Sequence, residues 1–173
     1  MKDIEKIFQQ AFEKHADELF RHASLRLSDR DRALELTQEC FLRAFAYADR
    51  GEEIREVRPF LFRTLRHLII DEYRRAKSFS LDEMTEGEEG EQMDSLLKDE
   101  TDEFEQAFTR FDGVRALRAI RRLPDLYREC LTMRYVNDLS ISEIAACVEE
   151  SENVVSVRLH RGLKKLRALL ESE

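Results

Sequence analysis

The stretch Asp138-Leu-Ser-Ile-Ser-Glu-Ile-Ala-Ala-Cys-Val-Glu-Glu-Ser-Glu-Asn-Val-Val-Ser-Val-Arg-Leu-His-Arg161 decides how this chain is read. Ser140, with Glu143 three positions on, forms a capping box that opens a helix by satisfying two backbone N–H groups lacking an intrahelical acceptor. Ile141, Ile144, Ala145 and Val148 give that short helix an apolar face. Ser151 offers a second N-cap a few residues later. From there Val155, Leu159, Leu163, Leu166 and Leu170 recur at helical spacing, with Arg158, Arg161 and Lys165 on a separate basic stripe. Two helices joined by a tight turn, the second basic on its outer side, form the pattern of a helix-turn-helix that reads DNA.

The rest of the chain bounds that reading. Its 173 residues allow one domain or two small ones. Hydrophobic residues at 42% can build compact cores, while 38% charged residues, two prolines and five glycines favour an all-helical protein with long solvated faces. No apolar run approaches the roughly 18 residues of a membrane span. The N-terminal Met-Lys-Asp-Ile-Glu-Lys lacks the apolar core of a secretory signal, so a cytoplasmic protein without membrane insertion is expected. Cys40, Cys130 and Cys147 are far apart and sit in helical patterns, as small buried hydrophobes do. His15, His22, His67 and His160 are scattered, and there is no nucleotide-cradling glycine loop or nucleophile–base pair. The expectation is no metal, no cofactor and no catalytic chemistry.

A net charge of −8 looks unsuited to DNA, but its distribution resolves the conflict. Residues 82–105 carry twelve acidic side chains against Lys98 alone, a net of −11, and the segments on either side are mildly basic. Residues 80–106 are expected to be an acidic, mobile linker between a module at 1–79 and a module at 107–173. In the first module, Ile4, Ile7, Phe8, Ala11, Phe12, Leu19, Phe20, Ala23 and Leu27 predict one helix, or two joined near His15. Ser28 and Asp29 can cap a second, with Ala33, Leu34, Thr37, Phe41, Leu42 and Phe45 facing inward and an end before Gly51. Pro59 suits the first turn of a third helix running to about Lys77, with Phe62, Leu65, Ile69 and Tyr73 buried and Arg63, Arg66, His67, Arg74 and Lys77 opposite. In the second module Phe108, Val114, Leu117 and Ile120 lead into Pro124, which can open a helix carrying Tyr127, Leu131 and Tyr135.

Three stretches together resemble a known family. Asp31-Arg-Ala-Leu-Glu-Leu-Thr-Gln-Glu-Cys-Phe-Leu-Arg-Ala-Phe45 resembles the second region of bacterial sigma factors, and Pro59-Phe-Leu-Phe-Arg-Thr-Leu-Arg-His-Leu-Ile-Ile-Asp-Glu-Tyr-Arg-Arg75 looks like its promoter-melting helix. Leu123 to Ala146, with Arg158-Leu-His-Arg161, is similar to the fourth region. Two such regions with only a short linker between them suggest the extracytoplasmic-function (ECF) group. The resemblance implies a transcription initiation factor of two helical domains. Its implied partners are the RNA polymerase core (β′ clamp helices and β flap), promoter DNA and an anti-sigma protein. Glu35, Gln38, Glu39 and Arg43 would meet the clamp helices. The loop Asp49 to Arg58 would capture a flipped base of the −10 element, whose unstacking costs a few kcal/mol. Phe60, Phe62, Arg63, Arg66, His67, Arg74 and Arg75 would bind the opened strand. Asn153, Val154, Ser156, Val157, Arg158, His160, Arg161 and Lys165 would read the −35 element.

This chain departs from the pattern at several places. It has no tryptophan where the family often has one near the −10 loop, and His67 stands where asparagine is frequent. Glu149 occupies the turn position usual for glycine, Glu150 follows it, and Glu152 adds negative charge at the second helix. Val154 and Ser156 replace residues that are often threonine and basic. Two other functions fit part of the pattern: a sigma-like decoy that titrates an anti-sigma protein, and a stand-alone helix-turn-helix regulator. The linker itself yields a testable expectation. Neutralising its acids to Ser and Gln should raise the free protein's affinity for non-specific DNA, most at low salt, because screening shortens the reach of a −11 segment. Equal low-salt affinities in an anisotropy titration would make it a spacer only.

Overall fold

The computed structural model describes residues 2–77 and 113–172, so the expectations for the linker and for Phe108 lie outside the described residues. Among the described residues the regular structure is helical throughout. Three long helices come first: α1 (Lys2–Arg26), α2 (Arg30–Asp49) and α3 (Val57–Lys77). Four more follow: α4 (Gly113–Arg121), α5 (Asp125–Leu131), α6 (Ile141–Val148) and α7 (Glu152–Glu171).

The ends of these helices are set by their capping residues. Asp29 has extended backbone and its carboxylate accepts from the N–H groups of Asp31 and Arg32, starting α2. Gly51, at φ +86°, turns the chain after α2. Both halves of the predicted capping box are present at α6: the Ser140 hydroxyl accepts from Glu143 N–H at 3.1 Å, and Ser140 N–H donates to the Glu143 carboxylate at 2.8 Å. Ser151 caps α7 by accepting from Val154 N–H. Between α6 and α7 the chain reverses at Glu149, which takes the left-handed φ of +58°. The helix-turn-helix is therefore built as its sequence implies. One boundary differs. The α-helix opened by Pro124 stops at Leu131 and widens into a π turn over Thr132–Val136, closed by Asn137 N–H to the Thr132 carbonyl at 3.0 Å.

Packing confirms most of the apolar stripes and corrects some. Helix α1 runs unbroken through His15, which is buried and bonded to Glu18 at 2.6 Å. Leu19, Ala23, Ala33, Leu36, Cys40, Ala44, Leu61, Phe62, Leu65 and Ile69 are fully or nearly fully buried. Each such aliphatic or aromatic side chain contributes about 1.5–3 kcal/mol through removal from water. Leu34 and Leu42, expected to face inward, are instead 45% and 69% exposed, and Ile7 and Phe12 on α1 are about half exposed. Helix α2 is apolar over more than one face, and the face that packs is Leu36, Thr37, Cys40, Phe41 and Ala44. Phe12 makes an edge contact with Phe41, centroids 5.0 Å apart.

The buried side chains of α1–α3 and those of α4–α7 run together into one core. Helix α7 lies in the middle of the C-terminal group, with Val155, Leu159, Leu163, Leu166 and Leu170 buried. It passes close to α5 at Gly162, where a β-carbon would stand 3.1 Å from Tyr127 Cβ and 3.2 Å from Leu131 Cδ1. Gly162→Ala should therefore destabilise the C-terminal group by about 1–3 kcal/mol, the usual effect of overfilling a packed site. A denaturant titration checks this, and an unchanged or raised midpoint would mean that helix propensity outweighs the clash.

Candidate nucleic-acid interface and its neighbouring surfaces

Three surfaces carry the residues singled out in the sequence. The first is the outer face of α2. Glu35, Gln38 and Arg43 are exposed and Glu39 is partly so. Arg43 donates to Glu39 at 2.6 Å, and Glu35 accepts from Arg32 at 2.7 Å. Arg32 also reaches Glu72 on α3 at 2.7 Å, so the face is braced at its N-terminal end. Leu34 and Leu42 lie exposed among these polar groups, an amphipathic surface that periodicity alone assigned to the core. Water gains nothing from holding two leucines in contact with it.

The second surface is α3 and the loop before it. Arg63, His67, Arg74 and Arg75 are exposed, Phe60 and Arg66 are half-buried, and Phe60 stacks obliquely on Tyr47 at 5.0 Å. Phe62 departs from expectation. It is fully buried and meets the edge of His22, so it serves the core and offers no aromatic surface. Gly51 to Glu56 form the loop, and Arg58 at its end pairs with Glu18 at 2.9 Å.

The third surface is the start and outer side of α7. Asn153 and Lys165 are exposed, and Val154, Ser156, Val157 and Arg161 are half-buried. Lys165 places its ammonium over the Tyr127 ring, 5.6 Å from the centroid. His160 is buried, not exposed, because the basic run around it hides a position on the core side of the helix. Arg158 is likewise less open than its stripe suggests: its side chain is 12% exposed and donates to Glu150 at 3.3 Å. The second acid of the turn thus neutralises the first base of the helix.

The second and third surfaces are not independent, because a charge network joins α1 and α3 to α5 and α6. Arg26 is fully buried and donates to both oxygens of Asp125, at 3.3 and 2.8 Å, with Glu129 3.7 Å away. Burial would raise the Asp125 carboxyl, but the charge and hydrogen bonds of Arg26, with Arg128 and Tyr73, together outweigh it and hold the group below its ordinary value. Tyr73 donates to the Arg26 carbonyl at 2.5 Å and also bonds Asp125. Arg66 pairs with Glu129, which is only 3% exposed. Arg58 donates to the Asn137 carbonyl, Asn137 donates to the Glu18 carbonyl at 3.0 Å, and its side-chain oxygen meets His22 Nδ1 at 3.2 Å. Cys147 Sγ lies 3.6 Å from the Pro59 carbonyl across the same seam. Sequence reading missed Arg26, Glu129 and Asn137, since partners about a hundred residues apart leave no local pattern.

Among the described residues no cluster of His, Cys, Asp and Glu could hold a metal ion. Burial pushes each of the three thiols up to about 12, far from the thiolate a nucleophile needs. No helix among the described residues is long and apolar enough to cross a membrane.

His22 gives the seam a pH dependence. Burial, helped by the Arg26 charge, lowers its pKa from 6.5 to about 3, so the folded form holds it neutral. Unfolding returns it to its ordinary value, so stability from this group is complete above about pH 6.5 and falls as acid approaches 3. The limiting slope is ~1.4 kcal/mol per pH unit. Urea midpoints taken between about pH 7.5 and 5.5 should fall on acidification, and His22→Gln should flatten the fall. Equal slopes would show that His22 does not set it.

Comparison with known proteins places these surfaces in a family. Residues 11–79 match Sigma-70 region 2 and residues 114–166 match Sigma-70, region 4. The chain is 28% identical to the ECF RNA polymerase sigma factor SigW of Bacillus subtilis, over 98% of this chain and 94% of that protein. In fold it is similar to the sigma factor RpoE in complex with the anti-sigma factor NepR from Bartonella quintana (TM-score 0.70, 19% identity, 96% and 98% of the two chains). It is also similar to CnrH in complex with the cytosolic domain of CnrY (TM-score 0.66, 22% identity, 98% and 90%).

Proposed function

Because the chain belongs to the sigma-70 family, in its ECF group, with regions 2 and 4 in order, we propose a division of labour among its three surfaces. The protein is a transcription initiation factor and not an enzyme; it binds RNA polymerase and promoter DNA. Residues 1–79 form the domain that docks on the core enzyme and opens the −10 element, residues 80–106 the linker, and residues 107–173 the domain that reads the −35 element. It works in the cytoplasm, where polymerase and promoters are.

Docking falls to Glu35, Gln38, Glu39 and Arg43, and Leu34 and Leu42 join them. The observation that carries this is the exposed apolar pair set among fixed ion pairs, on a helix whose opposite side is core. Interfaces derive affinity from desolvated apolar anchors rimmed by charges. Strand opening falls to α3, where Phe60 supplies aromatic surface and Arg63, Arg66, His67, Arg74 and Arg75 face the phosphates. Phe62 supports this helix from beneath. On α7, Asn153, Val154, Ser156, Val157, Arg161 and Lys165 meet the −35 duplex. Arg158 joins them only after leaving Glu150, and His160 holds the helix in place from the core side. An anti-sigma protein is the partner expected to restrain the factor.

Replacing Glu35 and Glu39 with Lys should weaken binding to core polymerase at least tenfold, about 1.4 kcal/mol, with helix content unchanged. Unaltered affinity would sink the docking assignment. Run-off transcription with added core enzyme tests the whole function. The three acids Glu149, Glu150 and Glu152 around the turn favour one rival, a decoy for an anti-sigma protein, and absence of run-off product beside intact anti-sigma binding would establish it.

A further inference from the structure

The turn of the helix-turn-helix holds an arginine of the helix that follows it. Arg158 sits in the second turn of α7 with its side chain 12% exposed, and its Nη2 donates to Glu150 Oε1 at 3.3 Å. The backbone on either side of Glu150 is fixed. Its N–H donates to the Ala145 carbonyl at 3.1 Å and closes α6, while Ser151 accepts from Val154 N–H at 3.2 Å and opens α7. Two helix ends therefore aim this carboxylate. Residues 152–158, the leading two turns of α7, contain one acid, Glu152, and one base, Arg158. Glu150 thus occupies the base at the end of α7 that a helix-turn-helix presents to the groove.

We infer that Glu150 is a positioning residue for promoter binding: its carboxylate stands in for a DNA phosphate on Arg158, and so sets how strongly the leading end of α7 grips a duplex. The inference rests on the reading of α7 as the −35 helix. Arg158 shares its stripe with Arg161 and Lys165, at i, i+3 and i+7, so a change of rotamer can carry its long side chain from the turn to the groove edge. Glu150 is 38% exposed, and a pair so open to water is weak enough to exchange. Carboxylate and phosphate oxygens accept from a guanidinium in the same manner, so one anion can replace the other.

The exchange still opposes binding, because it leaves the Glu150 carboxylate unpaired beside the duplex, where it repels phosphate. An arginine already neutralised adds little to the attraction for DNA. Phosphate contacts carry no sequence information, so withholding one raises the share of affinity that base contacts decide.

Because the contact is with phosphate, a duplex of random sequence tests it. The full chain is titrated into such a duplex, labelled with fluorescein, and anisotropy is followed across about 50–200 mM salt. Glu150→Gln keeps the shape of the side chain and removes its charge. Expected is a gain in affinity of about threefold or more at low salt, with a salt slope steeper by about one. In an Arg158→Gln background the same substitution should give no gain, because the cation that it frees is gone. Urea midpoints accompany each variant. A lower midpoint for Glu150→Gln with affinity and slope unchanged makes the pair a structural brace and overturns the inference. A gain that persists without Arg158 is general repulsion and overturns it too. Lys165→Gln tests the footing separately: Lys165 is exposed on the same stripe, and its loss should weaken binding about threefold. If Lys165→Gln weakens binding while Glu150→Gln leaves it unchanged, the role of Glu150 falls and α7 keeps its assignment. If neither variant moves affinity, the assignment of α7 falls, and the role of Glu150 with it.

Discussion

A guanidinium sealed from water has to find its counter-charge inside the protein, and the position of Arg26 makes both halves of this molecule answer to that need. Its own helix supplies no acid to it. The carboxylates of Asp125 and Glu129 come from α5, and Tyr73 of α3 sets its ring 5.7 Å from the guanidinium carbon. Together they neutralise the charge only when the two domains are in register, while Nη1 of Arg26 has no hydrogen-bond partner. Removing one partner from such a buried pair typically costs 3–5 kcal/mol, whereas the intact pair adds little beyond its own desolvation. The network therefore contributes more to the uniqueness of the closed arrangement than to its depth. The continuous apolar core around it supplies the depth.

The elements that follow local rules were legible in the sequence. Asp29, Ser140 and Ser151 cap the helices they were expected to cap, and the stripe from Val155 to Leu170 is the buried side of α7. Glu149 takes the left-handed turn inferred from its place in the motif. What escaped depends on the third dimension. Helix α2 has more apolar surface than one core can use, and spacing cannot say which leucines stay outside. His160 sits in a basic run yet lies on the inner side of its helix. Arg26 and Glu129 look like solvated charges until the chain brings α1 and α5 together. Of the three surfaces, α3 was furthest from its sequence image, because its surroundings come from the other end of the chain.

The turn between α6 and α7 shows how one position can serve two demands. A helix-turn-helix needs a residue at positive φ there, and any side chain but glycine pays on the order of 1 kcal/mol of backbone strain. Glu150 beside it holds Arg158 against α7, and Glu152 adds charge favourable to the helix dipole but repellent to phosphate. The recognition helix is thus less basic at its leading end than its arginine count implies. If α7 meets the −35 duplex as proposed, that binding would lean on Arg161, Lys165 and the charge further along α7.

Cys147 carries a different consequence. Its thiol is shielded beneath α3, beside the Pro59 carbonyl, and burial lifts its pKa to about 12. At neutral pH such a thiol stays protonated, and the protonated form is a poor nucleophile. Cys40 and Cys130 are buried as well. Of the three, Cys147 alone bonds across the seam and gains access when the domains part. Alkylation of Cys147 is therefore expected to be slow while the seam is closed, so its rate would report how often the seam opens.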